Sequence, residues 1–574
     1  MDLIKNLKKT WKYTEGQRVY IAIISVISVI YVAIGVVVPL LSAKAIVELT
    51  NNQLEQLVYI SLVLLGVEFS RDLIHFVRRR CTQRVYRESF IKIQSALGRE
   101  TLRLTNTTVD SNSSGVFIER LKSDTEQLSI IFNVINRDLM KILSNFGVFV
   151  ALFVINKIAF VFIAATTLLL FVVENRRTKA LQNNNAKYKK KVEKVSGFVG
   201  ELVRGIRDIK MLNSEESFMQ ELDKKVTSAN VDGYYAKKVN GNYGFLRDSL
   251  VDLSDFGLIM LLVYLISLGS LETATALIIY NYSGRVTSLI DNMGTLLETI
   301  KDFNLSANRV FEIIDSEEAF PKEKFGDKQI ENIDGNFEFK NVRFSYDGGN
   351  EVLKGVSFII NSKETVAFVG KSGAGKTTIF NLICKMYDAS EGEILIDGIN
   401  INDLNKDSIR GNVTIISQNP YIFNLTIKDN FKLVKADVTD DEIEKACKAA
   451  CLDDFVESLP EKYETIIGEG GVNLSGGQKQ RLAIARALVQ DTKIILFDEA
   501  TSALDNETQN KIKQAIDNLK SDYTILIIAH RLSTIIDADR IMFLNNGIIE
   551  AQGNHAELYE KNENYRNLYR AELI

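Results

Sequence analysis

The sequence predicts two unlike parts: a membrane α-helical domain of six spans, then an α/β domain organised on a phosphate-binding loop. Three observations predict this. Long apolar runs stop before residue 300, and the rest of the 574 residues reads as a soluble α/β pattern. A short apolar run, Val366 to Val369, leads straight into Gly370-Lys371-Ser372-Gly373-Ala374-Gly375-Lys376-Thr377. Basic residues crowd some of the loops between the apolar runs and are missing from others. The averages conceal this division: 46% of residues are apolar, yet mean hydropathy is only +0.01. A net charge of −4 gives no reason to expect nucleic acid as a partner.

Taken in order, the chain opens with Leu3, Ile4, Leu7 and Trp11 on one helical face, flanked by Lys5, Lys8, Lys9 and Lys12. That is the pattern of a helix lying in the membrane interface. No small-residue cleavage site follows, so a secretory signal is not read. Residues 19–43 are uncharged and, at about 1.5 Å per residue, long enough to cross a bilayer core. Pro39 is expected to kink the outer end. The second apolar segment begins near Leu54 and turns polar at Glu68. The third covers 142–156, the fourth 158–173, the fifth 256–271, and the sixth 273–284 with a possible extension to Leu297. Several are shorter than about 20 residues, so buried core helices are the rival reading.

Two features decide against that rival: the runs pair as hairpins, and the basic residues follow a rule. Residues 45–70 and 269–273 contain no Lys or Arg. Arg78, Arg79, Arg80, Arg84, Arg87, Arg99 and Arg103 follow the second run, and 176–194 holds Arg176, Arg177 and several lysines. Basic loops mark the cytoplasmic side, which places both termini inside. The internal loops, 78–135 and 175–245, are long and helical in pattern. Each has a polar interruption, at 106–115 and at 210–216. Domain boundaries follow: a membrane domain over 1–310, a linker over 311–335 and the α/β domain over 336–574.

The loop at Gly370 fits G-x-x-x-x-G-K-[ST] at every fixed position. Glycines let backbone N–H groups close on phosphate oxygens, and the next helix offers its N-terminus. Lys376 would reach the terminal phosphates and Thr377 would supply a hydroxyl to Mg²⁺. Further on stand Leu474-Ser475-Gly476-Gly477-Gln478, then an apolar strand ending in Asp498-Glu499, then Ser502-Ala503-Leu504-Asp505, then another apolar strand ending at His530.

This order of motifs resembles the ATPase domain of ABC transporters from about Phe337 onward. The six long-helix spans resemble the exporter-type membrane domain, so the chain is identified as an exporter-type half-transporter: a six-span membrane domain fused to an α/β P-loop ATPase domain. The resemblance implies ATP and Mg²⁺ as ligands. It implies that Tyr346 stacks on adenine and that Gly370, Ser372, Gly373, Ala374, Gly375, Lys376, Thr377 and Thr378 hold the phosphates. Thr377, Gln418 and Asp498 would hold Mg²⁺, Glu499 would act as general base or only orient the water, and His530 would keep Glu499 and the attacking water aligned. Ser475, Gly477 and Gln478 would reach the nucleotide held by a second chain, and Asp505 would lie across that interface. The polar interruptions would be coupling segments. The undegraded motif set suits a homodimer, or the intact member of a heterodimer. One departure exists: Gly470 stands where exporter relatives typically have arginine, while Glu469 is kept.

The resemblance also bounds function. ABC-type ATPases that act on DNA or ribosomes lack six spans, so an ATP-driven plasma-membrane exporter, of bacterial type, is the reading. Drug-like, peptide and lipid substrates stay open, as do a flippase and an importer on the exporter fold. A fused N-terminal cysteine-peptidase domain is expected to be absent. Cys81, Cys384, Cys447 and Cys451 lack metal-ligand spacing. In the membrane half, Asp248, Asp252 and Asp255 fall at i, i+4 and i+7, and Glu68, Asp72 and His75 repeat that spacing. Charges there cost about 2.5–3.5 kcal/mol at mid-bilayer, so they need partners or a cavity. Arg71, Arg247 and Arg285 could supply salt bridges. The alternative is an acidic, inward-facing cavity for cationic drugs or basic peptides.

Overall fold

The computed structural model describes residues 2–572 apart from Asn52, Ser113, 331–332, 347–348, Asn419, 469–470, Asp491, 499–505, Asn518 and 529–535. The chain forms two units, one of residues 1–102 with 115–316, the other of residues 103–114 with 317–574. The tip of the first internal loop, residues 103–114, therefore belongs to the second unit.

The first unit is helical: α1 (Asp2–Lys12), α2 (Arg18–Thr50) and α3 (Leu54–Thr101), and beyond the first loop's helix α4 (Asn106–Ser111), α5 (Ser114–Glu119), α6 (Thr125–Ile155), α7 (Lys157–Arg204), α8 (Ile206–Met211), α9 (Glu215–Ser267) and α10 (Thr273–Asp315). Each expected span lies in its own long helix. Among the described residues four of these are apolar enough over a sufficient length to cross a membrane, within Arg18–Leu49, Ser114–Ile155, Lys157–Leu181 and Glu215–Ser267. The helices α3 and α10 are long enough, at 48 and 43 residues, but carry charges within their apolar stretches. The helix α2 runs unbroken past residue 39. Asn156 makes the sharp turn between α6 and α7 by accepting from the N–H groups of Ile158 and Ala159, both at 3.0 Å. Val148, Leu152, Ile163, Leu258, Leu262 and Ile279 interlock α6, α7, α9 and α10. α1 has a polar contact face besides its apolar one. Asn6 and Thr10 are its buried face, with Asn6 donating to Asn304 and Asn308 at 2.7 Å, while Ile4 is exposed.

The second unit carries β1 (Phe337–Ser345), β2 (Glu351–Ile360), β3 (Thr365–Val369), β4 (Glu391–Ile396), β5 (Ile399–Asn400), β6 (Val413–Ile416), β7 (Leu425–Thr426), β8 (Ile466–Ile467), β9 (Ile494–Asp498), β10 (Thr524–Ile528), β11 (Arg540–Asn545) and β12 (Ile548–Gly553). One sheet runs β2-β1-β4-β5; the main sheet runs β12-β11-β3-β10-β9-β6. β3 and β10 are buried at every residue, as strands covered on both faces must be. Core clusters lie on both faces of the main sheet. Residues 317–330 strap this unit: the Glu323 carboxylate accepts from Arg410 at 2.5 and 3.0 Å, and a Cβ at Gly326 would strike the Asp403 carbonyl at 2.0 Å. Leu104 bridges to Lys322. The Thr105 N–H donates to Pro321 O at 3.0 Å and the Glu323 N–H to Arg103 O at 2.8 Å, which stitches the first loop to the strap.

Candidate functional site

The strands β6, β9, β10, β3 and β11 run parallel, with Phe368, Ile528 and Asp498 in register. Their carboxyl ends form one edge of the sheet, where α/β folds bind ligands. Three segments of the expected site leave that edge: the phosphate loop after β3, Asp498 at the end of β9, and Gln418 just past β6.

The loop is shaped by its glycines. Gly373 has φ 79° and Gly375 φ 102°, a region that a side chain strains. A Cβ at Gly375 would lie 2.7 Å from Leu353 Cδ2, and one at Gly370 2.3 Å from the Leu544 carbonyl. Gly375 also caps the following helix, α11 (Lys376–Ile383). Lys376 is buried, and its Nζ donates to the carbonyls of Gly370 (2.7 Å) and Lys371 (3.1 Å), so the ammonium stands over the loop. Ser372 and Thr377 are exposed while Ala374 and Thr378 are buried. Glycines in left-handed conformations, an ammonium over them and an exposed threonine at a helix start fit a bound polyphosphate with its cation.

Tyr346 stands near the helix: its hydroxyl is 3.1 Å from Thr378 Oγ1. Its ring meets Phe344 and Tyr387 edge-on, with centroids 4.7 and 5.2 Å away. Gln418 is exposed, and its carbonyl accepts from Gln480 Nε2 at 3.0 Å. In the second motif the Ser475 N–H donates to Gln478 Oε1 (2.8 Å), and the Gln478 N–H to Ser475 Oγ (3.3 Å). This reciprocal pair caps the helix Gly476–Gln490, a use that the S-x-x-Q spacing signals. Gly477 is buried under it. Glu469, Gly470, Glu499, Asp505 and His530 lie outside the described residues. Cys384 and Cys447 serve packing: both are buried, which pushes their thiols up to about 12.

Among the acids of the membrane half, Glu68 pairs with Arg71 within α3. Arg247 bonds Asp291 on α10 at 2.6 Å, not the aspartates of its own helix. Arg285 donates to the Gly35 carbonyl on α2 at 2.5 Å. Asp72, Asp248 and Asp252 are exposed and Asp255 is half-buried.

Family models match both halves: the ABC transporter transmembrane region over residues 21–288 and the ABC transporter model over 353–502. A putative multidrug export ATP-binding/permease protein of Staphylococcus aureus is 33% identical over 98% of each chain. The chain belongs to the ABC transporter family. The ATP-dependent lipid A-core flippase of Haemophilus influenzae is 46% identical over 262 residues, 45% of this chain and 44% of that one. A solved bacterial Atm1-family ABC exporter with ATP bound is 26% identical, with a TM-score of 0.80 over 97% of this chain and 98% of that one. This ABC half-transporter is thus an ATP-hydrolysing exporter, embedded in a membrane and built to pair with a second chain.

Proposed function

We propose that this half-transporter works as a homodimer in a bacterial plasma membrane, with its termini and ATPase domains cytoplasmic, and expels amphiphilic cations. The observation that carries the ATP chemistry is the cradle of Gly373 and Gly375 beneath the Lys376 ammonium. Lys376 holds the terminal phosphates, Tyr346 stacks on the base, and Glu499 takes the proton of the attacking water while His530 keeps that water aligned. Thr377, Gln418 and Asp498 hold Mg²⁺, which when bound neutralises charge developing on the transferred phosphoryl group. Ser475, Gly477 and Gln478 complete the site of the partner chain.

Pairing is supported by surfaces that one chain leaves open. The tip of the second internal loop exposes Met211 (78%) and Leu212 (74%). The ATPase unit has a groove of about 510 Å³ with Tyr421, Phe423 and Leu433 on its walls. An apolar tip from a second copy suits that groove. For substrate, Asp72, Asp248, Asp252 and Asp255 form no ion pair among the described residues, which favours the acidic-cavity reading for them over salt bridges. The multidrug-export name of a relative aligned over 98% of this chain agrees; the lipid flippase aligns over less than half.

The test is ATP-dependent uptake into inside-out vesicles of a cationic dye, a neutral analogue and a labelled lipid. Dye uptake lost in Asp252→Asn/Asp255→Asn, with neutral uptake and thermal stability kept, supports the cation reading. Flipping of lipid alone would replace it with the flippase reading.

A further inference from the structure

A cavity of about 310 Å³ lies inside the ATPase unit, with Thr105, Thr107, Asp110, Tyr346, Tyr387 and Asp388 among its lining. Three of these come from the first internal loop, far from the others in sequence. Tyr346 is 38% exposed, so its ring is partly free to receive a base. The rest of that ring is fixed. Phe344 and Tyr387 meet it at interplanar angles of 89° and 86°, the edge-on geometry that aromatic pairs favour. Tyr387 is itself tied: its hydroxyl donates to Asp110 Oδ2 at 2.9 Å. A phenol on a carboxylate is a charge-assisted bond. The loop that carries Asp110 is anchored on both sides, by its backbone bonds to Pro321 and Glu323 and by Asn106 Nδ2 to the Met386 carbonyl at 3.4 Å.

We propose that Asp110, acting through Tyr387, positions the ring of Tyr346, so that a helix from the membrane half's first loop sets the grip on the base of ATP. The inference rests on the reading of Tyr346 as the base-stacking residue. Without the Asp110 bond the Tyr387 ring keeps its edge-on contact with Phe344, 5.8 Å between centroids, but its hydroxyl loses an anchor; the wall it gives Tyr346 loosens, and base binding must then restrain a looser ring. Asp110 and Tyr387 are positioning residues; neither needs to touch ATP.

The experiment uses the full-length transporter in lipid nanodiscs. Binding of ATP and of inorganic tripolyphosphate is titrated without divalent ions, and KM and kcat for ATP are measured with Mg²⁺. Asp110→Ala and Tyr387→Phe should each weaken ATP binding about fivefold, the loss expected for one charge-assisted bond acting indirectly. Tripolyphosphate binding should stay within twofold, and KM should rise out of proportion to any fall in kcat. Asp110→Asn should restore ATP binding, because its carboxamide oxygen still accepts the phenol proton. Equal weakening toward ATP and tripolyphosphate, or no rescue by Asn, would leave a purely structural role and overturn the proposal. Tyr346→Ala separates the two ideas. If it weakens ATP but not tripolyphosphate while Asp110→Ala changes neither, positioning alone fails. If Tyr346→Ala also leaves ATP untouched, the stacking reading falls and positioning with it.

Discussion

The two internal loops of the membrane half end in short helices of equal length, yet the chain uses them differently. The first, α4, is capped by Thr105, sewn to the strap by backbone bonds and folded into the ATPase unit. Leu104 and Thr108 are buried there. The second, α8, has no side-chain cap and stays with the helical unit. It buries Ile209 but leaves Met211 and Leu212 bare. Apolar side chains exposed at a loop tip are costly unless something covers them. α4 is thus covered within its own unit, whereas the bare apolar end of α8 fits the proposal that a second copy covers it. The difference predicts a division of labour: the first loop acts on the nucleotide of its own chain, the second on coupling between chains.

Four perturbations sharpen or break that division. The largest effect is expected from Glu499→Gln, which bypasses both loops. Turnover should fall at least about 100-fold because the amide cannot accept a proton, while ATP binding, measured by titration, persists. Substantial residual turnover would remove Glu499 as the base. Gly375→Ala comes next. Its φ of 102° and the 2.7 Å approach to Leu353 should weaken ATP and tripolyphosphate alike, by about tenfold or more. A loss confined to ATP would contradict a phosphate cradle. Met211→Asp with Leu212→Asp should lower dye-stimulated ATPase several-fold and leave the ATP titration within twofold. A shift in ATP affinity matching that of Asp110→Ala would erase the distinction between the loops. The smallest effect belongs to Thr105→Ala, which removes the cap of α4 at about 1 kcal/mol. Faster amide exchange should appear over 106–111 and not over 206–211; a spread to both loops would show that they are one cooperative segment.

Much of the candidate nucleotide site was legible because its geometry is local. The glycines of the phosphate loop, the strands feeding it and Asp498 at a strand end are consecutive or regularly patterned. The spans were legible as apolar runs, although α3 and α10 dilute theirs with Glu68, Arg71, Asp72, Arg285 and Asp291. What escaped is long-range or polar. Tyr387 and Asp110 are 277 residues apart and belong to no motif. The contact face of α1 is set by Asn6 between Asn304 and Asn308, which an apolar moment does not reveal. Arg247 and Arg285 found an Asp291 carboxylate and a backbone carbonyl on other helices, choices that depend on how helices pack rather than on spacing along one of them.

The most direct test of the central claim, that two copies share two ATP sites, is a purified mixed dimer carrying Lys376→Ala in one chain and Ser475→Arg in the other. If each site joins the phosphate loop of one chain to Ser475 of the other, both defects fall in one site and the second is whole. Nucleotide trapping should then label one site per dimer, on the chain with intact Lys376, at the affinity of the unmodified protein. Equal damage at both sites would mean that each chain completes its own, and would contradict the shared arrangement.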